Sequence, residues 1–138
     1  MAYEIPVFDF TLEAAADLSA SQYRFVRVDA NGRAALCGAG QPAVGVLQNK
    51  PSAAGQAAQV RALGITKVVA GAAIAKGALV ASDASGQAVA ATVTTANTTT
   101  GALTGSHVAG IALEAAAAAG GVISVLLLPM GAVPGTAA

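Results

Sequence analysis

The sequence has no tryptophan, one cysteine, one histidine and few charges: 10% of its 138 residues are Asp, Glu, Lys or Arg, with a formal net charge of zero. Each shortage removes a class of function. Seven scattered basic residues provide no Lys/Arg cluster to grip a polynucleotide, so no direct nucleic-acid partner is expected. Cys37 is alone, which excludes an intrachain disulfide and a thiol-built metal cluster. An unpaired cysteine suits a protein assembled in a reducing cytoplasm. The start, Met1-Ala-Tyr-Glu-Ile-Pro, lacks the basic-then-apolar layout of a signal peptide. The longest weakly polar tract, Val108 to Val133, is broken by Glu114, Gly110, Gly120, Gly121 and Gly131. It alternates as strands do, so no membrane partner is expected.

What is present is alanine, valine and glycine. Hydrophobic residues make up 55% of the chain, and there are 16 glycines, a composition that fits short strands joined by turns around a thin core. The organising stretch is Ala73 to Ala90, which reads as strand, tight turn, strand. Leu79 and Ala81 alternate with Val80 and Ser82, Asp83 and Gly86 close the turn, and Gln87 to Ala90 return. Upstream, Gln22 to Asp29 alternates as a strand and Asp29-Ala30-Asn31-Gly32 is a hairpin turn followed by Arg33 to Cys37. Ala43 to Gln48 and Gln59 to Leu63 are further strands, and Gly64 is expected to turn the latter into Ile65 to Ala70.

An internal repeat follows from these signals. Asp29-Ala-Asn-Gly-Arg-Ala matches Asp83-Ala-Ser-Gly-Gln-Ala, Ala43-Val-Gly-Val matches Val108-Ala-Gly-Ile, and Ala54-Gly55 matches Ala119-Gly120. The strand around Val60 recurs around Val125. Each half is then a hairpin, a Gly-containing strand, a loop and a closing strand, and two such sets form an all-β small barrel or sandwich. We divide the chain into an extended N-terminal arm with a linking segment (1–21), a β domain (22–130) and a C-terminal tail (131–138). The Thr-rich insertion, Ala91 to Gly105, breaks the register of the repeat and reads as a solvated loop or a contact loop.

Residues 2–10 hold three of the five Phe and Tyr residues. Extended, Tyr3, Ile5 and Val7 point one way and Glu4, Pro6 and Phe8 the other. Pro6 restricts this segment to a sheet edge or an arm, so it is either an edge strand of its own domain or an arm added to a neighbour. Thr11 to Ser21 reads equally as a short helix capped by Thr11 or as extended chain.

No catalytic constellation is present. His107, in Ser106-His107-Val108, has no companion, and an uninvolved histidine is the plainer reading. Cys37, in Ala-Leu-Cys-Gly, reads as a small buried hydrophobe. Asp29 and Asp83 are explained by turn geometry. Glu4, Asp9, Glu13 and Asp17 crowd the N-terminus, and Glu114 is expected on a rim. Gly38-Ala-Gly40 lacks the remaining glycine spacing of a dinucleotide fingerprint. We expect no enzyme, no cofactor and no metal site.

The run Val68 to Val89 resembles the core segment of small tailed-bacteriophage capsid decoration, or cement, proteins. Val108 to Leu127 resembles their closing segment, and Gly45-Val-Leu-Gln-Asn-Lys-Pro with Gly55 is similar too, so the likeness covers about residues 22–130. It implies an all-β structural protein made in the host cytoplasm. Its expected place is the outer surface of an expanded capsid, where it binds the major capsid protein and its own copies, as a trimer or else a dimer. Tyr3, Ile5, Val7, Phe8 and Phe10 are the expected contacts to capsid or sister subunit. Asp29, Asn31, Gly32, Asp83 and Gly86 are the expected structural turn residues. A carbohydrate- or surface-binding module using the Thr-rich loop is the alternative, though few aromatics are available to stack on sugars. A small hydrolase built on Cys37 or His107 comes third.

Overall fold

The two aspartate turns form the same hydrogen-bond pattern twice. Asp29 Oδ1 accepts from the amides of Asn31 and Arg33, both at 2.9 Å. Asp83 Oδ1 accepts from Ser85 and Gln87 at 2.8 and 2.9 Å. Gly32 and Gly86 then take the left-handed conformation that closes each turn, with φ of 75° and 73°. The Arg33 amide is the main reason that the Asp29 carboxyl is held below its ordinary value of 3.8, with Asn31 and the nearby arginines adding to it against a desolvation cost. A lowered folded pKa means that this contribution is complete above pH 3.8 and is lost as pH falls through the folded value. Asp29→Asn keeps the acceptor but loses the charge. Between pH 7 and pH 3 its urea midpoint is expected to fall less than that of the parent chain.

The computed structural model describes residues 2–92, 95–96 and 103–128. The proposed tail, 131–138, and most of the Thr-rich insertion lie outside the described residues. Among the described residues there are eleven strands: β1 (Ile5–Glu13), β2 (Phe25–Val28), β3 (Ala34–Leu36), β4 (Gly45–Leu47), β5 (Ala57–Val69), β6 (Leu79–Ser82), β7 (Ala88–Ala90), β8 (Thr95–Ala96), β9 (Leu103–Thr104), β10 (Gly110–Ala112) and β11 (Val122–Leu127). β8 and β9 pair with each other; the other nine form one antiparallel sheet in the order β3-β2-β4-β5-β11-β10-β6-β7, with β1 also on β5. The sheet curls into a half-barrel, and the fold is all-β. No helix among the described residues is long and apolar enough to cross a membrane.

The repeat extends further than the sequence matches suggested. β1 pairs with the first part of β5 (Leu12↔Ala58, Phe10↔Val60) as the second part of β5 pairs with β11 (Val68↔Ile123, Thr66↔Val125). Each half closes on itself by one parallel bridge, Ala14↔Ala34 and Ala70↔Ala88. The connecting amides repeat as well: Leu18 to the Pro51 carbonyl and Ile74 to Ala116, then Tyr23 to Leu47 and Gly77 to Ala112. Tyr23 and Gly77 both have positive φ, 63° and 83°, and Tyr23 holds it without the freedom of glycine. Two apolar clusters result. Ala14, Leu18, Val26, Ala34, Leu47, Ala58 and Val60 form one. Ala70, Ile74, Val80, Ala88, Ala112, Ile123 and Val125 occupy the corresponding places in the other. Phe25, fully buried, leaves its own half to join the second cluster and so fastens the two together.

One expectation changes and one open alternative closes. Gly64 is not a turn: β5 runs unbroken from Ala57 to Val69. Gly64 has φ of 107°, and a methyl group on it would collide with the Ile5 carbonyl, so it is needed for close approach within the sheet rather than for reversal. Thr11 to Ser21 is not helical. Thr11 to Glu13 belong to β1, whose half-buried Phe10 and Leu12 face the first cluster. That period-two burial outweighs the alanine propensity behind it.

Candidate functional site

β1 lies along β5 of its own chain, the first of the two alternatives left open for the N-terminal segment. From Asp9↔Arg61 to Glu13↔Ala57 the register is regular, and Ile5↔Ile65 and Pro6↔Gly64 resume it. Between them lie two register shifts, at Pro6/Phe8 and Phe8/Asp9. A bulge re-aims side chains, and here it upsets the simple alternation. Tyr3, Ile5, Val7 and Phe8 are all exposed, Val7 by 71%. Phe10 is half-buried, packs on the first cluster and stacks on Phe8 with ring centroids 5.9 Å apart.

Leu63, opposite Phe8 in the register, is exposed too. Thus five of the seven exposed large apolar side chains among the described residues (Tyr3, Ile5, Val7, Phe8 and Leu63) belong to this one segment and the strand beside it. Leu63 was legible in principle, since Gln59, Arg61 and Leu63 share the face opposite to buried Val60.

The segment is tied down. Arg61, on β5, reaches Asp9 with a two-pronged contact, Nε to Oδ1 at 2.8 Å and Nη2 to Oδ2 at 3.1 Å. Its Nη1 lies 3.6 Å from Glu4 Oε1. The Arg61 side chain is 9% exposed, so the three charges form a largely covered clamp. At the far end, the Tyr3 amide donates to Ser124 Oγ at 2.6 Å, and that hydroxyl donates to the Tyr3 carbonyl at 3.1 Å. Tethered backbone with apolar side chains facing out makes a pre-organised contact surface, which loses little entropy on docking.

The remaining candidates are placed elsewhere. Asp29, Asn31 and Gly32 form the tip of the β2–β3 hairpin, and Asp83 and Gly86 that of β6–β7. Cys37 is buried; burial pushes its thiol up, and Sγ lies 3.4 Å from the Gln41 carbonyl. His107 is exposed, with Nδ1 3.1 Å from the Gly40 carbonyl. Among the described residues no group of three His, Cys, Asp or Glu side chains is placed to hold a metal ion.

A surface of this kind, on a small repeated β scaffold, fits the family that the sequence resembles. The family model for phage cement proteins matches residues 4–127. The chain belongs to the phage cement protein family. As such it is a structural component of the phage virion, located on the capsid. No curated protein matches the sequence. Among solved structures, the fold is similar to that of the head fiber gp8.5 N base in bacteriophage phi29. That likeness has a TM-score of 0.61 at 21% identity and covers 90% of this chain and 96% of the other. The match begins at residue 4 and so takes in β1, the Arg61 clamp and most of the exposed apolar face.

Proposed function

We propose that this cement protein binds the outer surface of the expanded phage head and cements neighbouring major capsid subunits against the outward pressure of packaged DNA. The exposed face of Tyr3, Ile5, Val7 and Phe8, with Leu63 beside it, carries the reading: among the described residues it is the largest grouping of exposed large apolar side chains, and it is presented on clamped backbone. A contact centre poor in charge is what such an interface requires. A ligand that binds only the assembled, expanded lattice stabilises it by RT ln(1 + [L]/Kd), about 4 kcal/mol per site at a thousandfold excess over Kd. Several sites engaged at once by an oligomer, a trimer in preference to a dimer, add avidity. Synthesis in the host cytoplasm agrees with the lone thiol. The task calls for no catalysis, no cofactor and no direct contact with nucleic acid.

The test is sedimentation with heads at different stages. The protein is expected to pellet with DNA-filled, expanded heads and to stay in the supernatant with unexpanded procapsids. Equal binding to both, or to neither, would contradict lattice-specific cementing.

A further inference from the structure

Tyr23 stands, in a left-handed conformation, where the second half has a glycine. The equivalence of the two places is shown by their bonds: the Tyr23 amide donates to Leu47 O at 2.8 Å and the Gly77 amide to Ala112 O at 2.7 Å. The residues that follow, Arg24 and Ala78, donate to Ser21 O and Ala75 O, both at 3.2 Å. Among the described residues Tyr23 is the one residue other than glycine with positive φ, at 63°. Its backbone is fixed from the other side as well, since the Tyr23 carbonyl accepts from the Val69 amide at 2.9 Å. A side chain in this region is disfavoured relative to glycine, and residues held there against that cost cluster at functional sites. The backbone calls for glycine here, so the reason for tyrosine lies in its ring.

That ring is half-buried and has a cation over it, Lys67 Nζ at 5.9 Å from its centroid. Lys67 is half-buried too, and among the described residues its ammonium has no carboxylate partner. Arg61, six positions earlier on β5, is held by Asp9 and Glu4. Lys67 is opposite Ser124 in the β5–β11 register, and side chains paired in this way share a face of the sheet. Ser124 Oγ in turn holds the Tyr3 backbone at one end of the exposed apolar face. Lys67 therefore joins the two features: its register partner holds Tyr3, and its ammonium lies over Tyr23.

Resting on the cement reading above, we infer that Tyr23 and Lys67 extend the capsid-contact face and take an acidic side chain, Asp or Glu, of the major capsid protein. Lys67 Nζ meets the carboxylate, and the Tyr23 ring packs on the apolar stem that carries it. Charge singles out this occupant. The carboxylates beside the apolar face, Glu4 and Asp9, are already engaged by Arg61, whereas Lys67 is left to attract an anion from outside. The result is an apolar centre with a polar rim, and tyrosine is among the residues that most often anchor such contacts. Glycine at position 23 would relieve the backbone and lose the anchor.

The test is a binding curve on DNA-filled, expanded heads, read by co-sedimentation for the parent chain, Tyr23→Asn, Lys67→Gln and Lys67→Glu. Asn accepts the left-handed conformation, so Tyr23→Asn is expected to fold as the parent does by circular dichroism; should it not, Tyr23→Gly takes its place. At low salt Kd is expected to rise about tenfold for Tyr23→Asn and about fivefold for Lys67→Gln. Added salt should weaken the parent chain more than Lys67→Gln, because the parent alone has the charge pair to screen. Lys67→Glu should bind more weakly still, carboxylate facing carboxylate. A role for Lys67 confined to packing on Tyr23 would leave the salt dependence unchanged. Folded variants that bind as tightly as a pelleting parent would overturn this proposal alone. So would a Lys67→Gln chain with the parent's salt dependence, or a Lys67→Glu chain that binds better than Lys67→Gln. A parent chain that stays in the supernatant would overturn the cement reading and this proposal with it.

Discussion

Arg61→Ala is expected to lower the unfolding free energy by about 2–3 kcal/mol. Removing one member of a buried ion pair leaves the other charge without a partner, typically at a cost of about 3–5 kcal/mol. Here Asp9 and Glu4 are 22% and 29% exposed at the side chain, so water recovers part of that. Arg61→Lys restores a charge but not the planar fork that meets both Asp9 oxygens, and should fall between the two. The loss should concentrate in β1. Amide exchange of Phe8 to Thr11 is expected to accelerate well before that of β11, since the Arg61 side chain ties the N-terminal segment, through Asp9 and Glu4, to β5. An Arg61→Ala chain within about 0.5 kcal/mol of the parent, the range of ordinary surface substitutions, would show that the clamp does not hold the strand.

Gly45→Ala and Gly110→Ala should each be comparably damaging, about 2–3 kcal/mol, and nearly equal to one another. Neither glycine has a positive φ; both are needed because the adjacent strand passes too close for a side chain. A methyl group on Gly45 would collide with the Arg61 carbonyl, and one on Gly110 with the Leu126 carbonyl. It would also come within 2.7 Å of Val60 Cγ1 in the first case and of Val125 Cγ1 in the second. Gly55→Ala and Gly120→Ala form the control pair. They sit at φ of 86° and 91° with nothing within 4 Å of an added methyl, so only the left-handed penalty of about 1–2 kcal/mol applies. Urea unfolding of the four variants checks both statements. Unequal losses within a pair would break the equivalence of the two halves.

The hairpins were legible because their signals are local. Asp29 with Gly32, and Asp83 with Gly86, lie within four residues of each other, and the turn type dictates the residue types. Gly64 misled because a glycine between two alternating runs usually marks a reversal. Its actual reason, the nearness of Ile5 in β1, lies 59 positions away in the register Ile5↔Ile65 and its neighbour and leaves no local trace. The clamp is hidden in the same way: Asp9 and Arg61 are separated by 52 positions, and neither is unusual in its own context. The repeat was recognised from its turns but begun too late. Phe10-Thr-Leu-Glu13 and Thr66-Lys-Val-Val69 occupy equivalent places with no shared residue type at any of the four positions, and only their inward-outward alternation is common. The N-terminal residues were therefore left outside the β domain, as an edge strand or an arm, although from Ile5 onward they are the opening strand of the first half.

That position alters how the contact face must be tested. Deleting residues 2–10 would remove the strand that completes the first half, together with Phe10, so loss of capsid attachment would not separate contact from folding. Substitution of Val7 and Phe8 leaves the backbone pairing and the Arg61 clamp in place. The most direct measurement is co-sedimentation of a Val7→Asp, Phe8→Asp double variant with expanded heads, alongside the parent chain and a circular dichroism melt. The account predicts a folded variant that remains in the supernatant while the parent chain pellets. A folded variant that pellets with heads as the parent does would contradict it.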